Sequence, residues 1–431
     1  MFSTRRLVFP VIMAGLLCVP SRGWSYPLDG FANTGIARVE AFRIAQKNTG
    51  GKLLPPGANL TTDKIVLSLQ HLPDFEIPPP DPVLSRELRE ELGSDARGYG
   101  VALLDISDPG RPRYAEVNPD AMMNPGSVGK LLVGLGVFQT LADVQPDVVR
   151  RRDLLRDTVV VADEFIRTDS HEVPVWKKED QKVIRRPIEE GEKLSLYTFL
   201  DHMMSPSSNA AASILAREAI LMRHFGEDYP ASYESSRAYL GATPKAELGR
   251  ELKAVLQEPV RRNGLNSGRL RQGSVFTREG KRRLPGTSSY ASARSLLELL
   301  VAMEKGQLVD PWSSKEMKKL IYLTDQRIRY AAAPSLRESA VYFKSGSLYK
   351  CRPERGQACE KYRGNVWNFL SSVAIVEENE RNPPLRYIAV VLSNVLRKHA
   401  VESHEKLATK IQELMEELHP LKSVAPGPKS P

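Results

Sequence analysis

The chain is poor in the residues that build metal centres and disulfide frameworks. It holds three cysteines and seven histidines in 431 residues. No Cys-x-x-Cys or His-x-x-x-His spacing occurs, so a metal site is not indicated, and no cofactor is expected. None of the histidines sits in a recognisable motif. Gly-x-Ser-x-Gly is missing around Ser127, because Pro125 occupies the first glycine position, so the usual sign of a Ser-His-Asp hydrolase is lacking. There is no long low-complexity tract, which argues for a folded chain. Beyond residue 25 no stretch is long and apolar enough to cross a membrane, so no stable span is expected. One-sided charge is also missing. The formal net charge is only +9, and basic residues are interleaved with acids, as in Arg150-Arg151-Arg152-Asp153. Such segments read as solvated faces, and a nucleic-acid partner is not indicated.

What is present begins with a leader. Arg5 and Arg6 form a basic head, and an apolar run follows from Leu7 to Val19. Gly23 and Ser25 stand at −3 and −1 of a cut before Tyr26, so residues 1–25 read as a secretory signal peptide. The run is shorter than the ~20 residues of a membrane span, and Pro10 interrupts it. Leu17 before Cys18 does not suit lipidation. Cleavage lowers the formal charge from +9 to +6, a modest excess that suits an anionic cell-envelope surface. An exported, periplasmic or secreted bacterial protein is the expectation. In that setting the neighbours Cys351 and Cys359 read as one local disulfide.

Residues 26–92 read as an N-terminal extension. It has a helix from Thr34 to Gln46, a strand from Lys64 to Gln70, and a stiff Pro-rich linker at Pro78-Pro79-Pro80-Asp81-Pro82. From Gly98 the pattern sharpens. Strands Tyr99–Ser107 and Tyr114–Asn118 form a hairpin around Asp108-Pro109-Gly110, and an apolar helix follows from Ser127 to Ala142. Helices Leu194–Met204 and Asn209–Ile220 flank Ser205-Pro206, and 258–288 reads as a long loop. Helices Ala291–Gly306 and Ser314–Tyr322 come next. Strands Ser339–Ser345, Val366–Glu377 and Leu385–Asn394 then precede a helix from Glu402 to Leu418. The tail 421–431 is polar, Pro-rich and expected to be disordered. The order implies an α+β fold: a five-stranded antiparallel sheet flanked by helices, with an inserted all-helical lobe.

Three short motifs carry chemistry. Ser127-Val-Gly-Lys130 opens a helix after a Pro-Gly break, and residues i and i+3 share a helical face. A serine hydroxyl needs a neighbour to take its proton, and lysine can do so when burial or nearby positive charge discourages its ammonium form. The helix start adds a positive dipole end and free N–H groups that suit an oxyanion. Ser207-Ser208-Asn209 lies at a break between helices, and Lys344-Ser345-Gly346 ends a strand. Each alone has a bland reading, as helix cap or turn.

Together, in this order, they resemble the signature of the penicillin-recognising serine enzymes, the β-lactamases and D,D-peptidases. The surroundings are most similar to class A β-lactamases: Asn124-Pro-Gly-Ser-Val-Gly-Lys-Leu-Leu132, Met203-Met-Ser-Pro-Ser-Ser-Asn-Ala-Ala-Ala212 and Phe343-Lys-Ser-Gly-Ser347. The likeness spans about 93–420. It implies that Ser127 attacks an acyl carbonyl, Lys130 takes its proton and Ser207 relays a proton to the leaving nitrogen. It also implies that Asn209 holds the substrate amide, that Lys344, Ser345 and Gly346 form the carboxylate-binding strand, and that the N–H groups of Ser127 and Ser347 receive the oxyanion. The implied partner is a β-lactam or a D-Ala-D-Ala-type peptide.

The chain departs from that pattern in places. Ser208 stands where class A enzymes carry Asp, and Arg-x-Glu-x-x-x-Asn is absent from 258–288. Glu279 is the candidate deacylating base there, Arg363 the candidate for an arginine on the fourth strand, and Trp176 a candidate rim aromatic. A β-lactamase-like hydrolase is therefore the first reading. A D,D-carboxypeptidase or endopeptidase on peptidoglycan stem peptides, and a non-catalytic envelope binding protein, are the alternatives.

Overall fold

A computed structural model of the chain describes residues 30–40, 43–44, 60–325, 327–352, 354 and 359–421. The signal peptide expected at 1–25 and the tail from 422 onward lie outside the described residues. Five strands form one antiparallel sheet: β1 (Tyr99–Asp105), β2 (Arg113–Val117), β3 (Ala340–Lys350), β4 (Trp367–Glu378) and β5 (Leu385–Asn394), in the order β2-β1-β5-β4-β3. The first strand pairs with the last, Tyr99 opposite Ser393 and Asp105 opposite Tyr387. All of β1 is buried, because both faces of the sheet are covered. Side chains alternate between two cores. Ala102, Leu104, Val390 and Leu392 join the larger one, packed by the helices Lys130–Val144, Ala293–Glu304 and Pro311–Tyr322. Val101, Leu103, Ala389 and Val391 join the other, under the helices Pro82–Leu92 and Ala400–Leu418.

The lobe between β2 and β3 is mainly helical, and it also carries two-stranded ribbons. One pairs Val173–Lys177 with Lys182–Arg186, and another pairs Leu270–Arg271 with Tyr290–Ala291. The loop read at 258–288 is more ordered than its composition suggests. The helix Lys245–Arg262 runs into it, and Arg278–Arg283 forms a short helix capped by Thr277. Contrary to the reading that no stretch beyond residue 25 is long and apolar enough to cross a membrane, Gly126–Val144 is, but most of it is buried and it is the core helix of the lobe.

The N-terminal extension differs from its reading. The helix expected at Thr34–Gln46 is met in part: Phe31–Thr34 is a separate turn that Gly35 ends at φ 72°, and residues 39–40 and 43–44 are helical. Residues 41–42 and 45–46 lie outside the described residues. Lys64–Gln70 is not a strand. Thr62–Lys64 is a 3-10 turn, and the N–H groups of Ser68 and Leu69 donate to Glu304 instead of a neighbouring strand. Pro82 does not end a linker. Asp81 accepts from Val83 N and Leu84 N and, with Pro82 behind it, starts the helix Pro82–Leu92. Pro80 bridges to Tyr114 along the free edge of β2. Cys351 and Cys359 are joined, their Cα atoms 5.7 Å apart, just past the end of β3.

A buried charge cluster fastens the extension. Lys318 Nζ lies 2.6 Å from both Glu304 and Glu377 and donates to Val66 O, with no side-chain exposure at Lys318. Tyr342 and Ser68 donate to Glu377 as well. Lys318→Met leaves two carboxylates buried without their cation. It is expected to cost ~3–5 kcal/mol of stability, read as a lower denaturant midpoint at unchanged slope.

Candidate active site

The site is built where β3 meets the turn before the helix Lys130–Val144. Asn124 Oδ1 accepts from Gly126 N at 2.9 Å, and Gly126 takes φ 54°, so the chain doubles back and presents Ser127 on a 3-10 turn, Gly126–Gly129. Gly346 of β3 lies directly against this turn. A Cβ there would stand 2.3 Å from Ser127 N and 2.4 Å from Pro125 O. The missing side chain lets β3 lie directly against the backbone that carries Ser127.

Lys130 is fully buried, one helical turn beyond Ser127. Its Nζ is 3.1 Å from Ser127 Oγ, 2.8 Å from Asn209 Oδ1, 3.2 Å from Ser207 Oγ and 2.5 Å from Ser207 O. The Phe276 ring covers it at 4.8 Å. Burial lowers the amine's pKa from 10.5 to about 7, against a weak opposing pull from Asp169. Lys344 Nζ donates to Ser207 Oγ at 2.7 Å. Burial, then Lys130 and Arg329, hold its pKa well below the ordinary lysine value. Ser207 therefore sits between two amines. It takes φ 67°, a left-handed conformation that a serine adopts only when its surroundings impose it.

Ser208 is fully buried and caps the helix Asn209–Phe225 through Ala211 N. Its Oγ meets Asp169 Oδ2 at 2.9 Å. Asp169 also accepts from Ala210 N at 2.8 Å and meets His171 Nδ1 at 2.6 Å. Burial works against its charge, but these hydrogen bonds outweigh it and hold the pKa at about 2. Another segment thus brings a carboxylate to the second motif, whose own middle residue is serine. No spacing rule links residues 169 and 208, so sequence reasoning missed Asp169.

Arg329 was missed for the same reason. It opens the 3-10 turn Arg329–Ala332 ahead of β3 and donates to Ser345 Oγ at 2.8 Å and Ser347 Oγ at 2.9 Å. Arg363, the expected arginine, pairs with Glu360 at 3.0 Å on the surface. Glu279 does not reach the site. It pairs with Arg282 at 2.9 Å and Arg283 at 3.5 Å, and the residues of that loop that line the cavity, Gln272, Ser274, Phe276 and Lys281 among them, do not include it. Gln272 Oε1 is buried without a hydrogen-bond partner, close against Gly129. Trp176 stays off the lining too. On its ribbon it is Arg185, paired with Asp325, that faces the cavity.

The cavity above Ser127 holds about 610 Å³. Its charged lining is Arg185, Lys281, Arg329, Lys344 and Lys361 against Asp325. A serine oxygen beside a near-neutral amine, under a cation-rich wall, is equipped for attack on an acyl group that carries a carboxylate.

Solved structures align with most of the chain. The structure of PBP-A matches with 12% identity over 79% of this chain and 100% of that one, at a TM-score of 0.48. The TLA-3 extended-spectrum beta-lactamase matches with 14% identity over 78% and 98%, at 0.49. A beta-lactamase from Chitinophaga pinensis matches with 15% identity over 77% and 98%, at 0.47. No family model and no curated protein matches the chain. The chemistry is read from the side chains in place. Of the sequence-predicted residues, Ser127, Lys130, Ser207, Asn209, Lys344, Ser345, Gly346 and Ser347 stand together here, and Glu279 stands apart.

Proposed function

We propose that the chain is an exported serine hydrolase that opens β-lactam-type amides through an acyl-enzyme on Ser127. The observation that carries this is the Lys130 amine, held near neutrality by burial and 3.1 Å from Ser127 Oγ. Lys130 takes the hydroxyl proton as Oγ attacks the carbonyl. The oxyanion forms between the N–H groups of Ser127 and Ser347. Ser207, hydrogen-bonded to both lysines, passes a proton to the leaving nitrogen as the C–N bond breaks. Lys344, Ser345 and Arg329 receive the substrate carboxylate, and Asn209 the acyl-side amide. Arg329→Ala is expected to raise KM for a carboxylate-bearing substrate roughly tenfold or more with little change in kcat, read from steady-state kinetics.

A second reading is supported by one observation. Among the described residues no carboxylate hydrogen-bonds Ser127 or Lys130, and the Phe276 ring lies 4.8 Å from Lys130 Nζ. A phenyl ring cannot deprotonate water, so the acyl-enzyme should be long-lived. That suits a D,D-carboxypeptidase or endopeptidase acting on stem peptides, in which a β-lactam is trapped. Penicillin and a chromogenic cephalosporin, followed by product release and intact mass, separate the two. Fast turnover supports the β-lactamase reading, and a persistent adduct on Ser127 the peptidase reading. If neither appears, and Ser127→Ala changes nothing, the hydrolase reading falls and a binding role takes its place.

A further inference from the structure

The arm at residues 30–40 does more than precede the catalytic unit. Ile36 and Val39 are buried in the larger core, and Gly35 lies against Tyr197 and Arg156. Between them Arg38, only 2% exposed, sends its guanidinium beneath the site. Its Nε donates to Asp201 Oδ2 at 2.8 Å, and its Nη2 to Asp201 Oδ1 at 2.7 Å, Ser205 Oγ at 3.0 Å and Leu323 O at 2.5 Å. These acceptors lie on two segments that run into the cavity lining. Asp201 and Ser205 close the helix Leu196–Met204, and the next residues are Pro206 and Ser207. Leu323 caps the helix Pro311–Tyr322, and the chain runs on through Thr324 and Asp325 to Arg329. One planar group thus stitches together the segment that holds Ser207 and the segment that leads to Arg329.

We infer that Arg38 is a positioning residue for the acylation step and that the arm at 30–40 is a working part of the site. Ser207 keeps its left-handed backbone only because its surroundings impose it, and a loose Ser205–Asn209 turn would let Ser207 Oγ drift from Lys130 and Lys344. Buried salt bridges can equally be inert ballast, so the test has to separate stability from geometry. This inference rests on the acyl-enzyme reading only for its kinetic readout.

The test uses the full mature chain. The double variant Arg38→Met/Asp201→Asn removes the ion pair as a whole, so that no lone charge stays buried. The single variant Arg38→Lys keeps the charge without the fork and serves if the double variant does not fold. Acylation by penicillin is followed by intact mass at rising penicillin concentrations, beside thermal melts and amide hydrogen exchange. The expected result is a cooperative melt, an acylation rate at saturation at least tenfold lower, a little-changed half-saturating concentration, and faster exchange in both 203–209 and 323–325. A lower melting point with wild-type acylation per folded molecule and wild-type exchange in those segments overturns the inference. If the wild-type chain itself forms no adduct, the acyl-enzyme reading fails. Exchange then decides alone, with a rise in both segments supporting the role of Arg38 and no rise overturning it.

Discussion

Lys130→Met will abolish acylation of Ser127 while raising the thermal midpoint of the protein. The first effect follows from chemistry. The amine is the only base hydrogen-bonded to Ser127 Oγ among the described residues, and removing such a base costs on the order of 10³ in rate. The second follows from burial. A fully buried amine that also has to stay available for protons is held in place by packing, and methionine fills the same space without desolvating a charge. The pH dependence has a definite sign. Only the neutral amine accepts the proton, and its pKa is about 7, so acylation should fall about tenfold per pH unit below 7 and level off above it. The folded-state pKa is depressed from 10.5, so the unfolded chain binds more protons between the two values. This group therefore makes the fold more stable as pH rises from 7 to 10.5, and Lys130→Met should flatten that slope. Stopped mixing with penicillin across pH, beside melts of both proteins, checks each part. An acylation rate that is flat from pH 5 to 9 would remove Lys130 as the base.

Gly346→Ala should be nearly as damaging, for a steric reason alone. The added carbon would lie 2.3 Å from Ser127 N and 2.4 Å from Pro125 O, and neither is the movable end of a side chain. The strand has to back away from the turn that presents the nucleophile, which spoils the paired N–H groups. We expect a loss of roughly 10²-fold in acylation, in line with losing one oxyanion donor, and ~1–3 kcal/mol in stability. Gly241→Ala, in the helix Tyr233–Ala242 with nothing within 4 Å of the new carbon, is the control and should leave acylation unchanged. A Gly346→Ala protein that acylates like the wild type would show that the strand is free to move.

Much of this was legible in the sequence, and what was not has common causes. The last strand was read to its ends, Leu385–Asn394, because an apolar run from Tyr387 to Leu392 stands between Pro383-Pro384 and Ser393-Asn394. Two of the site motifs were legible because they lie at element ends, where the local backbone presents a serine, lysine or asparagine side chain; Lys344-Ser345-Gly346, expected to end a strand at Ser345, lies inside β3, which runs on to Lys350. Asp169, Arg329 and Arg38 were not. Each acts across a long loop of chain on a partner that its own neighbours do not announce. Pro82 was a different kind of miss. Read as the end of a stiff segment, it is the first residue of a helix, and the Asp81-Pro82 pair is a start signal in its own right. Lys64–Gln70 carried strand residues, but its N–H groups were taken up by a helix end and a buried glutamate.

The way the two halves of the chain grip each other also bears on time. Arg38 binds Leu323 O, Ser68 binds Glu377, and β1 has its main neighbour in β5. The first needs three quarters of the chain and the other two nearly all of it, and such distant pairings make folding slow. A polypeptide that emerges from its N-terminus would carry its arm, its first hairpin and its nucleophile turn for a long interval with their partners still missing. The site draws on residues from Ser127 to Ser347, so it cannot be complete before β3 is in place.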